Sequence, residues 1–326
     1  MARLHERFPG VDLPHVALGT VPTPVRRVEI PGVDAETWVK DEGRFGDGAW
    51  GGNKVRKLEW IIPEAHRRRA DTLFTVGGIG THWGLAAALY GREHGLRTVL
   101  GLVDQPVDDH VNDQQRRLRD SGARMHVHRS PRRLRLAAPG IIAGAALRSR
   151  GRLPYYLPAG GSSPVGSLGY VETALEIAAQ VEARDLPEPG TLVTAVGSGG
   201  TAAGLTLGLR LAGLRTRVLG VVVNDSFRLD AVTVAALATA TADLLRARGA
   251  ELDARVAPDD LDAIDRWLGA TYGASTPEGT RALELADVVG VDLEPVYTAK
   301  ALAAAQDVAS TVDGPILYLA THGPRP

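Results

Sequence analysis

The 326-residue chain has no cysteine, and only four of its 37 basic residues are lysine: Lys40, Lys54, Lys57 and Lys300. Without thiols there is no disulfide framework and no thiolate catalysis by this chain, and the commonest zinc ligand is missing. Net charge is nearly absent at −1, so no global field calls for nucleic acid or an anionic membrane. Long apolar runs are also missing. The best, LAAPGIIAGAAL (136–147), is too short to span a bilayer and contains Pro139. The N-terminal MARLHERFPG lacks the apolar stretch of a secretory signal, and no GxSxG elbow marks a hydrolase. A cytoplasmic protein with no membrane or nucleic-acid partner is expected. The eleven arginines of 115–152 read as a solvated face, because no aromatics are interleaved with them. His126 and His128 share one face of a strand without a third ligand in the pattern, so no metal site is expected.

The chain does hold 44% apolar residues, enough for a sizeable core, and a regular alternation. Short β-branched runs (72–76, 98–103, 124–128, 153–157, 191–196, 217–223, 315–320) are separated by Ala-rich stretches of helical period near 81–94, 109–121, 132–149, 166–183, 200–213, 229–248, 277–289 and 298–310. Such alternation predicts an α/β fold with parallel sheets flanked by helices, and with ligands bound where the strands end. The length allows two domains, and PLPAGGSSPVG (157–166) suits a crossing between two sheets.

A lysine used so sparingly invites attention to GGNKVRK (51–57). Arginine cannot lose its proton to become a nucleophile, whereas lysine can. Asn53 is a good N-cap, which would make Lys54 the first helical residue. Gly51 and Gly52 permit close backbone approach or positive φ. The positive end of the helix dipole favours a neutral amine at Lys54, as a Schiff-base lysine requires. An ordinary capped helix with solvated lysines fits the same fragment. Lys57, one turn on, is expected at the surface with Glu59 or Glu64, and Pro63 should kink or restart the helix.

Three glycine-rich turns each join a strand to a helix. In TLVTAVGSGGTAAGL (191–205), Gly197, Ser198, Gly199, Gly200 and Thr201 offer backbone N–H groups and two hydroxyls at a helix N-terminus, which is a phosphate cradle by geometry. It lacks the P-loop lysine, but Gly197-x-Gly199-x-x-Ala202 partly matches a dinucleotide fingerprint, with Asp225 placed to meet a ribose. In VGGIGTHWG (76–84), Thr81 can cap the helix, with His82 and Trp83 at its mouth; AGGSSPVGSLGY (159–170) supplies further hydroxyls, Ser162 among them. Several such loops, one lysine and a phosphate cradle are what pyridoxal 5'-phosphate needs. A plain turn and a NAD site remain open at this point.

Taken together, these segments resemble the 1-aminocyclopropane-1-carboxylate deaminase and D-cysteine desulfhydrase family, pyridoxal-phosphate enzymes of the tryptophan-synthase-β fold type. The likeness runs from VPTPVRRVE (21–29) through GGNKVRKLEWIIPEA (51–65), DTLFTVGGI (71–79) and the two later glycine loops to LEPVYTAKA (293–301). It implies a two-domain protein, 1–56 with 161–326 forming a large cofactor-binding domain and 57–160 a small one, acting as a homodimer. It implies that Lys54, beside Asn53, holds the cofactor, and that Gly197 to Thr201 hold its phosphate. It places Tyr297 and Tyr272 in the active site and Thr321 near the pyridine nitrogen.

Departures cluster in one loop. Where the family usually has Gln-Ser-Asn after Gly-Gly-Ile, this chain has Gly80, Thr81 and His82, followed by Trp83. The resemblance gives Thr81 a carboxylate-binding or acid/base role and puts His82 at the cofactor's phenolic oxygen. Thr81, His82, Trp83 and Ser162 are then the expected substrate contacts, with the rewritten loop setting substrate choice. Thr298 follows Tyr297 as in the desulfhydrase-like branch, where the deaminase branch has glutamate, whereas IIPEA is deaminase-like. The expected activity is β-elimination from a small amino acid to an oxo acid and ammonia. Alternatives are deamination of a cyclopropane substrate, racemisation, β-replacement or a specialised biosynthetic step on the same scaffold, a NAD-binding oxidoreductase, and a catalytically silent binder.

Overall fold

The computed structural model describes residues 1–323 except 106 and 108. The chain opens with α1 (Arg3–Arg7), β1 (Val25–Val28) and β2 (Thr37–Asp41), then α2 (Asn53–Arg67). Next come β3 (Thr72–Gly78), α3 (His82–Glu93), β4 (Arg97–Val103), α4 (Asp109–Asp120), β5 (Arg124–His128), α5 (Pro131–Arg148) and β6 (Tyr155–Leu157). The second half runs α6 (Pro164–Glu182), β7 (Thr191–Val196), α7 (Gly200–Ala212), β8 (Arg217–Val222), α8 (Ala231–Ala247) and β9 (Leu261–Ile264). It ends with α9 (Pro277–Leu283), α10 (Ala286–Val289), α11 (Thr298–Val308) and β10 (Ile316–Ala320).

Two sheets result. One has six strands in the order β1-β2-β10-β7-β8-β9, parallel except for the antiparallel β1–β2 pair. The other has four parallel strands in the order β5-β4-β3-β6. The parallel strands read as near-continuous apolar runs because helices cover both faces, and β7 is buried at every position. Among the described residues no helix is long and apolar enough to cross a membrane.

Some expectations need correction. The helix expected over 277–289 is two short ones, α9 and α10, interrupted at Glu284–Leu285. Helix α2 runs on through Pro63 without restarting. It starts at Asn53, one residue earlier than the N-cap reading placed it, and the residue before it is Gly52. The expected domain boundary at 56/57 falls inside this helix, which packs against α6 and α3.

Strand β2 was hidden by its own charges. TWVKD ends in Lys40 and Asp41, which look like surface residues, yet both are buried. Lys40 Nζ donates to Glu176 Oε1 at 2.6 Å and Gln180 Oε1 at 2.8 Å on α6. Glu176 also accepts from Arg56 Nη2 of α2 at 3.0 Å, and Arg56 reaches Glu42 with Nε at 3.0 Å and Nη2 at 2.9 Å. Thr23 closes the cluster, its hydroxyl donating to Glu42 Oε1 at 2.6 Å. Two cations and two carboxylates thus neutralise one another inside the core, and the Arg56 guanidinium stacks 3.9 Å over the Phe45 ring. The cluster clamps the first turn of α2 to β2 and α6. Burial alone would raise the Glu176 carboxyl, but Lys40 and Arg56 overcome it and hold the group at about 2.

Removing one partner of a buried network strands the others, at a typical cost of about 3–5 kcal/mol. Glu176→Gln should lose stability on that scale in denaturant titrations at pH 7. The depressed carboxyl contributes stability above its unfolded value of 4.5 that is lost as pH falls toward about 2. The gap between wild type and variant should therefore narrow across that window; a variant as stable as wild type at pH 7 would contradict the clamp.

Candidate active site

The lysine loop is shaped by the segment that follows β10. Gly51 N donates to Gly323 O at 3.0 Å and Asn53 N to Thr321 O at 3.2 Å. Gly52 sits at φ 89°, and a Cβ there would lie 2.7 Å from Thr321 O, so both the conformation and the space require glycine. The Asn53 side chain does not cap the helix; its Oδ1 accepts from Lys54 Nζ at 2.8 Å. Desolvation lowers the Lys54 amine to about 8, with Glu294 pulling weakly the other way.

Lys57 lies where sequence reasoning did not place it. It is 3% exposed, not on the surface, and its Nζ donates to Gly160 O at 2.8 Å. The expected partners are engaged elsewhere: Glu59 accepts from Leu18 N and Glu64 from Arg67 and Arg68. Burial, reinforced by the Lys54 charge, lowers the Lys57 amine to about 7. Two amines one helical turn apart are both short of countercharge.

Gly160 leads directly to the glycine loop. Ser162 Oγ lies 2.8 Å from Ser198 Oγ and accepts from Gly200 N at 2.9 Å. Gly199, at φ 88°, turns the chain into α7, whose first residues are Gly200 and Thr201. Ser162, expected at the substrate, lies at the start of α7, where its hydroxyl accepts from an N–H group that the helix leaves without an internal partner. A phosphate fits this place: N–H groups at a helix N-terminus, two serine hydroxyls and the adjacent Lys57 amine. Gly197 is held from behind by Asn224 Nδ2, which donates to its carbonyl at 3.0 Å.

On the other side stand the tyrosines. The Tyr297 ring centroid is 5.9 Å from Lys54 Nζ, and Tyr297 Oη is 2.7 Å from Tyr272 Oη. Burial raises both phenols, Tyr297 well above its ordinary value, so both remain protonated at neutral pH. The Glu294 carboxylate accepts from the backbone N–H groups of Val296, Tyr297 and Thr298 and so caps α11. Thr298 is buried there, and its Oγ1 accepts from Glu294 N at 2.8 Å.

The rewritten loop divides. Thr81 caps α3, its Oγ1 accepting from Gly84 N at 3.1 Å. The His82 ring stands edge-on to Trp50 at 5.3 Å and 6.0 Å from His322, which brings α3 to the Thr321–His322 segment and the lysine loop. Trp83 departs from its expected substrate-facing place. It is 4% exposed, its Nε1 donates to Thr75 Oγ1 at 2.8 Å, and its ring packs on the Gly161 backbone. Any influence it has on the cleft runs through the Gly161–Ser162 turn. Asp225, the ribose candidate, instead accepts from Thr271 Oγ1 and Tyr272 N.

The comparisons agree with this arrangement. A family model described as pyridoxal-phosphate dependent enzyme matches residues 16–321. The chain is 35% identical to a D-cysteine desulfhydrase of Klebsiella pneumoniae (strain 342) over 84% of this chain and 83% of that protein. It is 34% identical to a D-cysteine desulfhydrase of Salmonella paratyphi A over 97% and 94%. Among solved structures, an ACC deaminase homologue aligns with TM-score 0.81 and 27% identity, covering 99% of this chain and 95% of that one. A threonine deaminase from T.th., with TM-score 0.63, 18% identity and coverage of 93% of each chain, shares the fold. The match of that family model over residues 16–321, together with the likeness to these relatives, places the chain in the family of pyridoxal-phosphate dependent enzymes.

Proposed function

We propose that this enzyme eliminates the β-substituent of a small amino acid of the D-cysteine type, one water being consumed to yield an oxo acid, ammonia and the expelled group. The observation that carries this reading is the Lys54 amine, lowered to about 8 and facing the protonated Tyr297–Tyr272 pair. Similarity to two proteins named D-cysteine desulfhydrase supports the substrate class. Neutral Thr298 after Tyr297 favours elimination of a good leaving group over cyclopropane opening.

Pyridoxal phosphate, when bound, supplies the electron sink that makes the substrate Cα–H acidic. Lys54 Nζ would hold it, and Lys57 with the Gly197–Thr201 turn, Ser162 and Ser198 would take its phosphate. Thr321 and Thr298 would be the neutral groups available to its ring, with His82 and Asn53 also contributing contacts. Lys54 Nζ would take the Cα proton; an amine near 8 is partly neutral at physiological pH and can do so. The Tyr297–Tyr272 pair, protonated at rest, would deliver one proton from Oη to the departing sulfur. Thr81, at the N-terminus of α3, orients the substrate carboxylate. Within this proposal the two sheets are two domains, 1–56 with 161–326 and 57–160, in a cytoplasmic homodimer.

Borohydride treatment of the coloured protein followed by peptide mapping should place a pyridoxyl group on Lys54. An adduct on Lys40, Lys57 or Lys300 would overturn the assignment. Lys57→Met should weaken cofactor binding by about tenfold or more, the worth of one charge-assisted contact. Yet without cofactor the variant should melt higher than wild type at pH 6, because a buried amine lowered to about 7 destabilises the fold wherever it is charged. That advantage should be full below pH 7 and fade as pH rises toward 10.5. Unchanged cofactor affinity would remove Lys57 from the phosphate site.

A further inference from the structure

Tyr272 arrives at the site on an irregular segment, 265–276, between β9 and α9. The residue is 39% exposed, and its ring stands edge-on to Tyr297 at a centroid distance of 6.1 Å. Glycines at positive φ bracket it, Gly269 at 80° and Gly273 at 82°, and nothing lies within 4 Å of where a Gly273 Cβ would be. The upstream part of the segment is tied to α11: Lys300 Nζ donates to Leu268 O at 2.6 Å and Trp267 Nε1 to Asp307 Oδ2 at 2.8 Å. Between Gly269 and Gly273 the tie is to Asp225, whose Oδ2 accepts from Thr271 Oγ1 at 2.8 Å and Oδ1 from Tyr272 N at 3.2 Å.

Asp225 follows β8 and is the neighbour of Asn224, the residue that holds the Gly197 carbonyl. Gly197 in turn supports Tyr297, since a Cβ at 197 would lie 2.5 Å from Tyr297 Cε1. The contacts close a circuit: the Gly197 turn, the Asn224–Asp225 pair, the Thr271–Tyr272 backbone, the Tyr272–Tyr297 hydroxyl contact and back to Gly197. The two hydrogen bonds from Thr271 and Tyr272 hold the exposed Asp225 carboxyl below its ordinary range, as expected if they form with the ionised group.

We infer that Asp225 is a positioning residue for Tyr272: it fixes the tyrosine-bearing loop against the same strand end that fixes the phosphate turn. The inference rests on the proposed role of the tyrosine pair. Without this tie, Tyr272 Oη would wander from Tyr297, and proton delivery to the leaving group would lose its geometry.

The test uses holoenzyme of wild type, Asp225→Ala, Asp225→Asn, Tyr272→Phe and the double variant Asp225→Ala/Tyr272→Phe. Two readouts are taken: kcat and KM with D-cysteine, and hydrogen exchange of the 271–274 amides. Visible absorbance checks cofactor loading. Asp225→Ala should raise exchange at Tyr272 and lower kcat about tenfold, the scale of one lost ordering hydrogen bond, with loading unchanged. Asp225→Asn, which keeps one acceptor oxygen, should fall between. In the Tyr272→Phe background the alanine substitution should cost nothing further. Unchanged exchange in Asp225→Ala overturns the tie itself. A loss equally large with and without the Tyr272 hydroxyl shows that Asp225 does not act through Tyr272, and overturns the inference. Full activity in Tyr272→Phe with raised exchange in Asp225→Ala would leave the contact in place, defeat the role given to the tyrosine pair, and with it the part assigned to Asp225 in the reaction.

Discussion

Lys54 and Lys57 leave α2 one turn apart, and both amines are drawn out of water without a carboxylate within hydrogen-bonding reach among the described contacts. Holding two such groups together opposes folding, since each disfavours the charge of the other and burial disfavours both. The arrangement makes sense only if something anionic completes it. The N–H groups at the start of α7 and the serine hydroxyls beside them face the same requirement from the opposite wall. On the proposed reading, a phosphorylated aldehyde would answer both at once, Lys57 and the cradle taking its phosphate and Lys54 its carbonyl.

The scaffold keeps this unfavourable pair in place by force elsewhere. Residues two apart on a helix point to nearly opposite sides, so Arg56 faces the core while Lys54 faces the cleft. Its carboxylate partners Glu42 and Glu176 lock the rotation of α2, and Lys40 completes the neutral cluster. The backbone after β10, central in its sheet, pins the Gly51–Asn53 turn from the other side. The basic side chains of Arg56, Lys54 and Lys57 thus differ within a short stretch of one helix: the first is paired with carboxylates and holds the helix, and the other two are lowered by desolvation.

How far this was legible in the sequence follows from what local pattern can carry. The α/β alternation and most strand positions are written in short segments, and those segments suffice. Lys57 was misread because Glu59 and Glu64 nearby suggest an ordinary solvated helix face. Only the packing of the 159–161 turn over α2 removes it from water. Strand β2 was missed for the same reason in reverse: Lys40 and Asp41 look exposed until their partners from α6 and elsewhere arrive. Ser162, Trp83 and Asp225 were assigned to ligands by the loops they occupy. Their side chains also meet protein, at Gly200, Thr75 and the Tyr272 loop, in contacts between residues as much as 47 positions apart that no local motif records.

The most direct test of the buried-amine account is the chemistry of Lys54 before any cofactor is present. Cofactor-free protein can be pulsed with a trace amine-specific acylating reagent across a pH series from neutral to strongly alkaline, and the labelling rate at Lys54 read by peptide mass spectrometry. An amine lowered to about 8 should reach half-maximal reactivity near that pH. Half-maximal labelling near the ordinary lysine value of 10.5 would show a solvated, paired amine and contradict the account.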